Sequence, residues 1–128
     1  MISPIVDFSV SAWRKLFDIH ITGTLLVTQA AMRHMIELKT GRRAIVVGSV
    51  HSVLASKNKV AYVAAKHAQL GFVRALAKEG VEHNISSNLI CSGFVLTPLV
   101  EKQIPKRAKE LNISEEEVVR NIMLGGYC

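Results

Sequence analysis

From Val10 onward the apolar positions Trp13, Leu16, Phe17, Leu26, Val27, Ala30, Ala31 and Met35 recur at roughly helical spacing, which predicts one long helix running to about Leu38. Asp7 or Ser9 can cap its start, and Thr40-Gly41 ends it. Ala44 to Val47 is a short, largely β-branched run, read as a strand buried on both faces. A polar connection follows. The alanine-rich, proline-free stretch from about Val60 to His83 then predicts a second helix. Ser87 to Cys91 is a second short strand, and SGFVLTP, holding Gly93 and Pro98, is a loop. Two or three short helices come after it. Pro105 suits an opening turn, and Ser114-Glu115-Glu116-Glu117 has the form of a capping box.

Helix, strand, helix, strand, helix is the order of an α/β fold with a parallel, doubly wound sheet. In such sheets the chemistry sits at the carboxyl ends of the strands. Ser49 and the loop around Gly93 are both at such ends. The 128 residues suit one domain with a real core, and 49% hydrophobic against 20% charged residues excludes a disordered chain.

Charge changes this picture little. The formal +6 permits an anionic partner, but the cations are scattered (Arg42-Arg43, Lys57, Lys59, Lys106-Arg107) with little aromatic interleaving, which argues against nucleic acid. Cys91 ends an apolar run and is read as a buried thiol, while Cys128 is the last residue. There is neither a disulfide framework nor metal-type spacing, and no metal is expected. The most apolar window, ITGTLLVTQAAMRHMI, is interrupted by Arg33 and His34 and is too short to span a bilayer. A cytoplasmic setting away from membranes is the expectation.

The polar connection is the unusual feature. GSVHSVLASKNKVAYVAAK gathers Ser49, His51, Lys59, Tyr62 and Lys66 directly after a strand. Tyr62 and Lys66 are four apart on the second helix and share a face at its N-terminal end. An ammonium so placed favours the phenolate of its neighbour, and a helix N-terminus acts in the same direction. Such a phenol can give a proton to a carbonyl oxygen or take one from an alcohol. A serine hydroxyl at the strand end can hydrogen-bond the same oxygen. Taken singly, each residue has a plainer explanation: a helix-surface tyrosine and lysine, a strand-ending hydroxyl, a loop imidazole bonded to backbone. The conjunction of serine, then tyrosine thirteen residues on, then lysine four further, is much narrower.

That conjunction, with GSVHS, AYVAAKH, LAKEG and GFVLTPLVEKQIP, resembles the short-chain dehydrogenase/reductase family, and within it the bacterial enzymes acting on D-3-hydroxybutyrate. The resemblance implies a partial Rossmann-type fold and an oxidoreductase using NAD to interconvert 3-hydroxybutyrate and acetoacetate. It implies catalytic roles for Ser49, Tyr62 and Lys66, with Tyr62 and Lys66 also at the cofactor. The nicotinamide loop falls on Gly93, Val95 and Thr97, and the substrate carboxylate on His51, Lys59 and Gln103. Residues 98–124 become a helical substrate lid within a single incomplete domain, 1–128. A homo-oligomer, tetrameric in the full-length context, is the expected assembly.

The sequence also departs from the family. His20 stands where the family carries a fourth catalytic residue, an asparagine, and could relay a proton towards Lys66. Ser92-Gly93 replaces proline-glycine, freeing one backbone dihedral, and Phe94 falls where some relatives carry tryptophan. None of the eight glycines forms a dinucleotide-type phosphate loop, and LGGYC leaves the pattern before a last strand. The expectation is therefore a fold truncated at both ends, with unpaired parallel strand edges. The alternative reading is a non-catalytic remnant that acts only as a subunit-interaction module.

Overall fold

The computed structural model describes residues 2–39 and 41–124. The helix stop at Thr40 and the end of the LGGYC segment, including Cys128, lie outside the described residues. The chain divides after Cys91 into two compact units, Met1–Cys91 and Ser92–Cys128.

In the first unit Ser9, not Asp7, caps the opening helix α1 (Val10–Phe17): its side chain accepts a hydrogen bond from the Ala12 amide at 3.1 Å. Asp7 belongs instead to a 3-10 turn, Ile5–Asp7. The predicted long helix does run to Leu38, but it is not uniform. A π-helical turn, Asp18–Thr22, separates α1 from α2 (Gly23–Leu38), and the Gly23 amide reaches back to the Asp18 carbonyl. One wide turn takes in an extra residue and rotates everything beyond it. The predicted stripe is kept only in part: Leu26 and Val27 are 59% and 72% exposed and Ala30 is exposed too, whereas Ala31 and Met35 are part-buried beside Thr24, Thr28, Met32 and Ile36. Lys39, in the left-handed region at φ 52°, ends the helix.

Strand β1 (Arg42–Val47) pairs in parallel with β2 (Ile85–Ile90), in the register Arg42 with Ile85 through Val47 with Ile90. Between them runs α3 (Val60–Gly80), continued by a 3-10 turn, Val81–His83, with Asn84 left-handed at its end. The second predicted helix thus ends three residues early as an α-helix. Its buried stripe, Ala61, Ala65, Gln69, Val73, Leu76 and Gly80, repeats every three or four residues, and α3 packs on β2. At Gly80 the two elements touch so closely that any Cβ would overlap the Ile85 carbonyl.

Two expectations are corrected. β1 is not buried on both faces: Ile45 and Val47 are 60% and 66% exposed. Only the face carrying Ile85 and Ser87 on β2 is well covered, and the described sheet has two strands, so alternate side chains on β1 have nothing to pack against. Cys91 is exposed rather than buried, because it lies just past the end of β2.

The second unit opens with an irregular stretch, Ser92–Thr97. It continues through α4 (Pro98–Glu101), α5 (Ile104–Leu111, with Pro105 in its first turn), α6 (Glu115–Glu117) and a π-helical stretch, Val118–Leu124. The capping box forms as predicted: Ser114 Oγ accepts from the Glu117 amide at 3.1 Å, and the Glu117 carboxylate accepts from the Ser114 amide at 2.9 Å. Those bonds hold the Glu117 carboxyl below the usual carboxylate range. No helix among the described residues is long and apolar enough to cross a membrane.

Replacing Gly80 by alanine is expected to destabilise the fold by about 1–3 kcal/mol through forced separation of α3 from β2. The measurement is the denaturant midpoint, which falls while the slope of the transition is kept.

Candidate active site

The carboxyl end of β1 runs through Gly48 into a 3-10 turn, Val50–Ser52, and this turn fixes Ser49. A Cβ on Gly48 would lie 2.9 Å from both Leu89 Cδ1 and Ser52 Oγ, so glycine lets the chain bend there without moving β2. Ser49 and Ser52 then cap the turn reciprocally. Ser49 Oγ accepts from the His51 amide at 3.2 Å, and Ser52 Oγ accepts from the Ser49 amide at 3.3 Å. Both serines are buried. Because Ser49 Oγ accepts from backbone, its own proton remains available to donate.

His51 packs under the start of α3. Its Nδ1 lies 3.5 Å from Ser49 Oγ, and its Nε2 lies 2.8 Å from Ser56 Oγ. Its ring meets that of Tyr62 edge-on, with centroids 5.6 Å apart. Burial, then Lys59, then His67 hold His51 below the ordinary histidine pKa, so the ring is neutral at pH 7. Lys59 is therefore close enough to act on His51, and it stands at the N-cap of α3.

Tyr62, one helical turn before Lys66, is flanked on another side by His20, whose ring centroid is 5.7 Å away, again edge-on. Lys66 Nζ lies 5.6 Å from the centre of the Tyr62 ring. Tyr62 thus touches the strand-end turn through His51, the π-helical turn through His20, and the lysine of its own helix. Ser49 and Tyr62, singled out in the sequence by spacing, both lie against His51, and Lys66 lies beside Tyr62.

Lys66 is only 5% exposed, and burial lowers its pKa from the usual lysine value. Its ammonium donates to Gln69 Oε1 at 3.0 Å. Gln69 is itself buried, and its Nε2 donates to the His20 carbonyl and to Thr24 Oγ1, each at 3.0 Å. Thr24 Oγ1 in turn donates to the His20 carbonyl at 2.6 Å. Burial, then the Lys66 charge, keep the His20 imidazole below its ordinary pKa. The expected link from His20 towards Lys66 therefore runs through the His20 carbonyl and Gln69, and not through the ring. Gln69 escaped the sequence reading. The signal was there: Tyr62, Lys66 and Gln69 are spaced four and three apart, on one helical face.

The remaining candidates lie in the second unit. Gly93 and Val95 are in the irregular stretch, with Val95 exposed. Thr97 caps α4, its Oγ1 accepting from the Val100 amide at 3.4 Å. Gln103 stands at the N-cap of α5 with its side chain part-exposed.

A family model described as short chain dehydrogenase matches residues 1–108. A D-beta-hydroxybutyrate dehydrogenase of Rhizobium meliloti is 39% identical over 125 residues, which cover 98% of this chain and 48% of that protein. Among solved structures, sorbitol-6-phosphate 2-dehydrogenase from Erwinia amylovora superposes with a TM-score of 0.84 at 26% identity, covering 92% of this chain and 46% of that one. A 4-hydroxyisoleucine dehydrogenase complexed with NADH superposes at 0.77 with 27% identity, covering 84% and 44%. The chain spans about half the length of the curated relatives it matches. The strand-end serine, the Tyr62–Lys66 turn and the parallel β1–α3–β2 unit all lie inside the matched residues, and the chain belongs to the short-chain dehydrogenase family.

Proposed function

We propose that the protein carrying this chain is an NAD-dependent oxidoreductase that moves a hydride between nicotinamide and a small 3-hydroxy acid, interconverting 3-hydroxybutyrate and acetoacetate. The observation that supports this reading is that Tyr62 is flanked by a buried lysine of its own helix and by His51, which itself lies against the strand-end Ser49. A role confined to subunit packing gives no account of an ammonium buried beside a phenol.

The donor set suits a nicotinamide nucleotide. Gln69 takes one of the three N–H groups of Lys66, and two remain for ribose hydroxyls. The Thr97 hydroxyl, which accepts from the Val100 amide, keeps its proton to donate to a carboxamide, with Gly93 and Val95 supplying the surrounding loop. When bound, the nicotinamide supplies the acceptor for the hydride leaving the alcohol carbon. Tyr62 Oη takes the hydroxyl proton as that hydride leaves, which completes the oxidation to the ketone. Ser49 Oγ donates to the same oxygen, and the Lys66 charge stabilises the ionised phenol. In the reverse direction the same groups return the proton.

His51 and Lys59 are the groups of the first unit proposed for the substrate carboxylate, and Gln103 of the second unit is a further candidate by resemblance alone. Lys59 supplies charge, and the neutral His51 supplies a directional N–H, its Nε2 exchanging Ser56 for the carboxylate. The apolar Leu26 and Val27, exposed on α2, support a homo-oligomeric assembly, a tetramer in this reading. A cytoplasmic setting belongs to the same proposal.

Two variants test the reading in the intact gene product that carries these residues. Tyr62→Phe is expected to lower kcat for oxidation of 3-hydroxybutyrate by about 10²–10⁴-fold, followed as NADH absorbance; turnover at the unaltered rate would remove Tyr62 from the chemistry. Lys59→Ala is expected to lower the preference for 3-hydroxybutyrate over uncharged 2-butanol by about tenfold, read as the ratio of the two kcat/KM values. A ratio that does not move would release Lys59 from the carboxylate.

A further inference from the structure

We infer that Gln69 is a positioning residue that holds Lys66 cationic and aims it at Tyr62, by committing both its N–H donors and its carbonyl oxygen to one fixed orientation between α3 and the π-helical turn. The inference rests on the reading of Tyr62 and Lys66 as the reacting pair.

The orientation of the Gln69 amide follows from its partners. The His20 carbonyl can only accept, so the NH2 end must face it. Thr24 gives its hydroxyl proton to that same carbonyl, so its oxygen accepts the second hydrogen of the Gln69 amide. The carbonyl end is then left facing Lys66 Nζ at 3.0 Å. The Gln69 amide cannot reverse without setting its carbonyl against the His20 carbonyl and its NH2 against the ammonium.

This geometry does two things to the lysine. It supplies a hydrogen-bond acceptor to a charge that burial disfavours, and so works against the effect of burial. It also consumes one fixed N–H, so the other two point elsewhere than into the cluster. The titratable groups around Lys66 are His20 from the π-helical turn, Tyr62 on its own helix, and His51 across the Tyr62 ring. No carboxylate forms an ion pair with Lys66 among the described residues. Gln69 is therefore the neutral stand-in for a counter-ion. The wide turn makes this arrangement reachable, because it presents the His20 carbonyl sideways to α3 and not only along its own helix axis.

The test compares Gln69→Met, which keeps volume and removes the acceptor, with Gln69→Glu, which supplies a full negative charge. Both remove the donors to the His20 carbonyl and Thr24; a carboxylate beside the ammonium raises its midpoint in any case, so Gln69→Met carries the decision and Gln69→Glu checks that the two side chains are neighbours. The titration of Lys66 is followed in the intact gene product by ε-carbon NMR, its resonance assigned by its loss in Lys66→Arg. The expected result is a midpoint lowered by about one pH unit in Gln69→Met and raised by about as much in Gln69→Glu. In the intact gene product the alkaline limb of kcat/KM should move the same two ways. A midpoint unmoved or raised in Gln69→Met overturns the inference. Should Gln69→Met fail to fold, Gln69→Leu, which also lacks the acceptor, is read in its place. The NMR titration needs no turnover, so its outcome is separate from that of Tyr62→Phe.

Discussion

A lysine ammonium buried against an amide carbonyl is the constraint on which the site depends. Taking a cation out of water is costly, and a protein usually answers with an opposite charge. Here the answer is a neutral amide, anchored at its other end to a carbonyl and a hydroxyl on a different helix. A neutral partner leaves the charge of Lys66 uncancelled and directed outward, where the phenol lies. An aspartate at the same place would hold the lysine as firmly but neutralise the field that makes it useful. The serine turn, the close approach at Gly48 and the edge-on histidines arrange other groups around that field.

The first unit shows how backbone economy places chemistry. Two glycines do complementary work: Gly80 brings α3 hard against β2, and Gly48 lets β1 end in a tight turn beside Leu89. Between them the carboxyl end of the strand and the amino end of the helix are held side by side. Alanines 61 and 65 on the buried stripe shorten the distance further, since a larger residue there would lift Tyr62 away from His51.

Much of this could be read from the chain alone, and the reasons are local. Tyr62 and Lys66 sit four apart in an alanine-rich, proline-free segment, so their shared face follows from helical geometry. Ser49 follows a glycine after a β-branched run, which is a strand end in almost any context. The Ser114 capping box is likewise a local pattern, and it formed. What could not be read depends on partners distant in sequence. The exposure of Ile45 and Val47 depends on what covers the sheet, which a β-branched run does not record. Cys91 was misjudged for the same reason, its burial hanging on one residue of strand length. Gln69 carries no sign of its importance until the His20 carbonyl arrives from forty-nine positions away. The wide turn at Asp18–Thr22 has no composition of its own, and it shifts the phase of the helix beyond it.

That turn has an evolutionary corollary. In most exposed helices a residue can be exchanged freely so long as its polarity suits its side. Between Asp18 and Thr22 the quantity under selection is the number of residues, since losing one would restore the regular pitch, swing Leu26 and Val27 inward and carry the His20 carbonyl out of reach of its amide. Drift in this segment should therefore proceed by substitution and almost never by insertion or deletion, and position 20 meets the neighbouring helix twice, through its carbonyl at Gln69 and its ring at Tyr62.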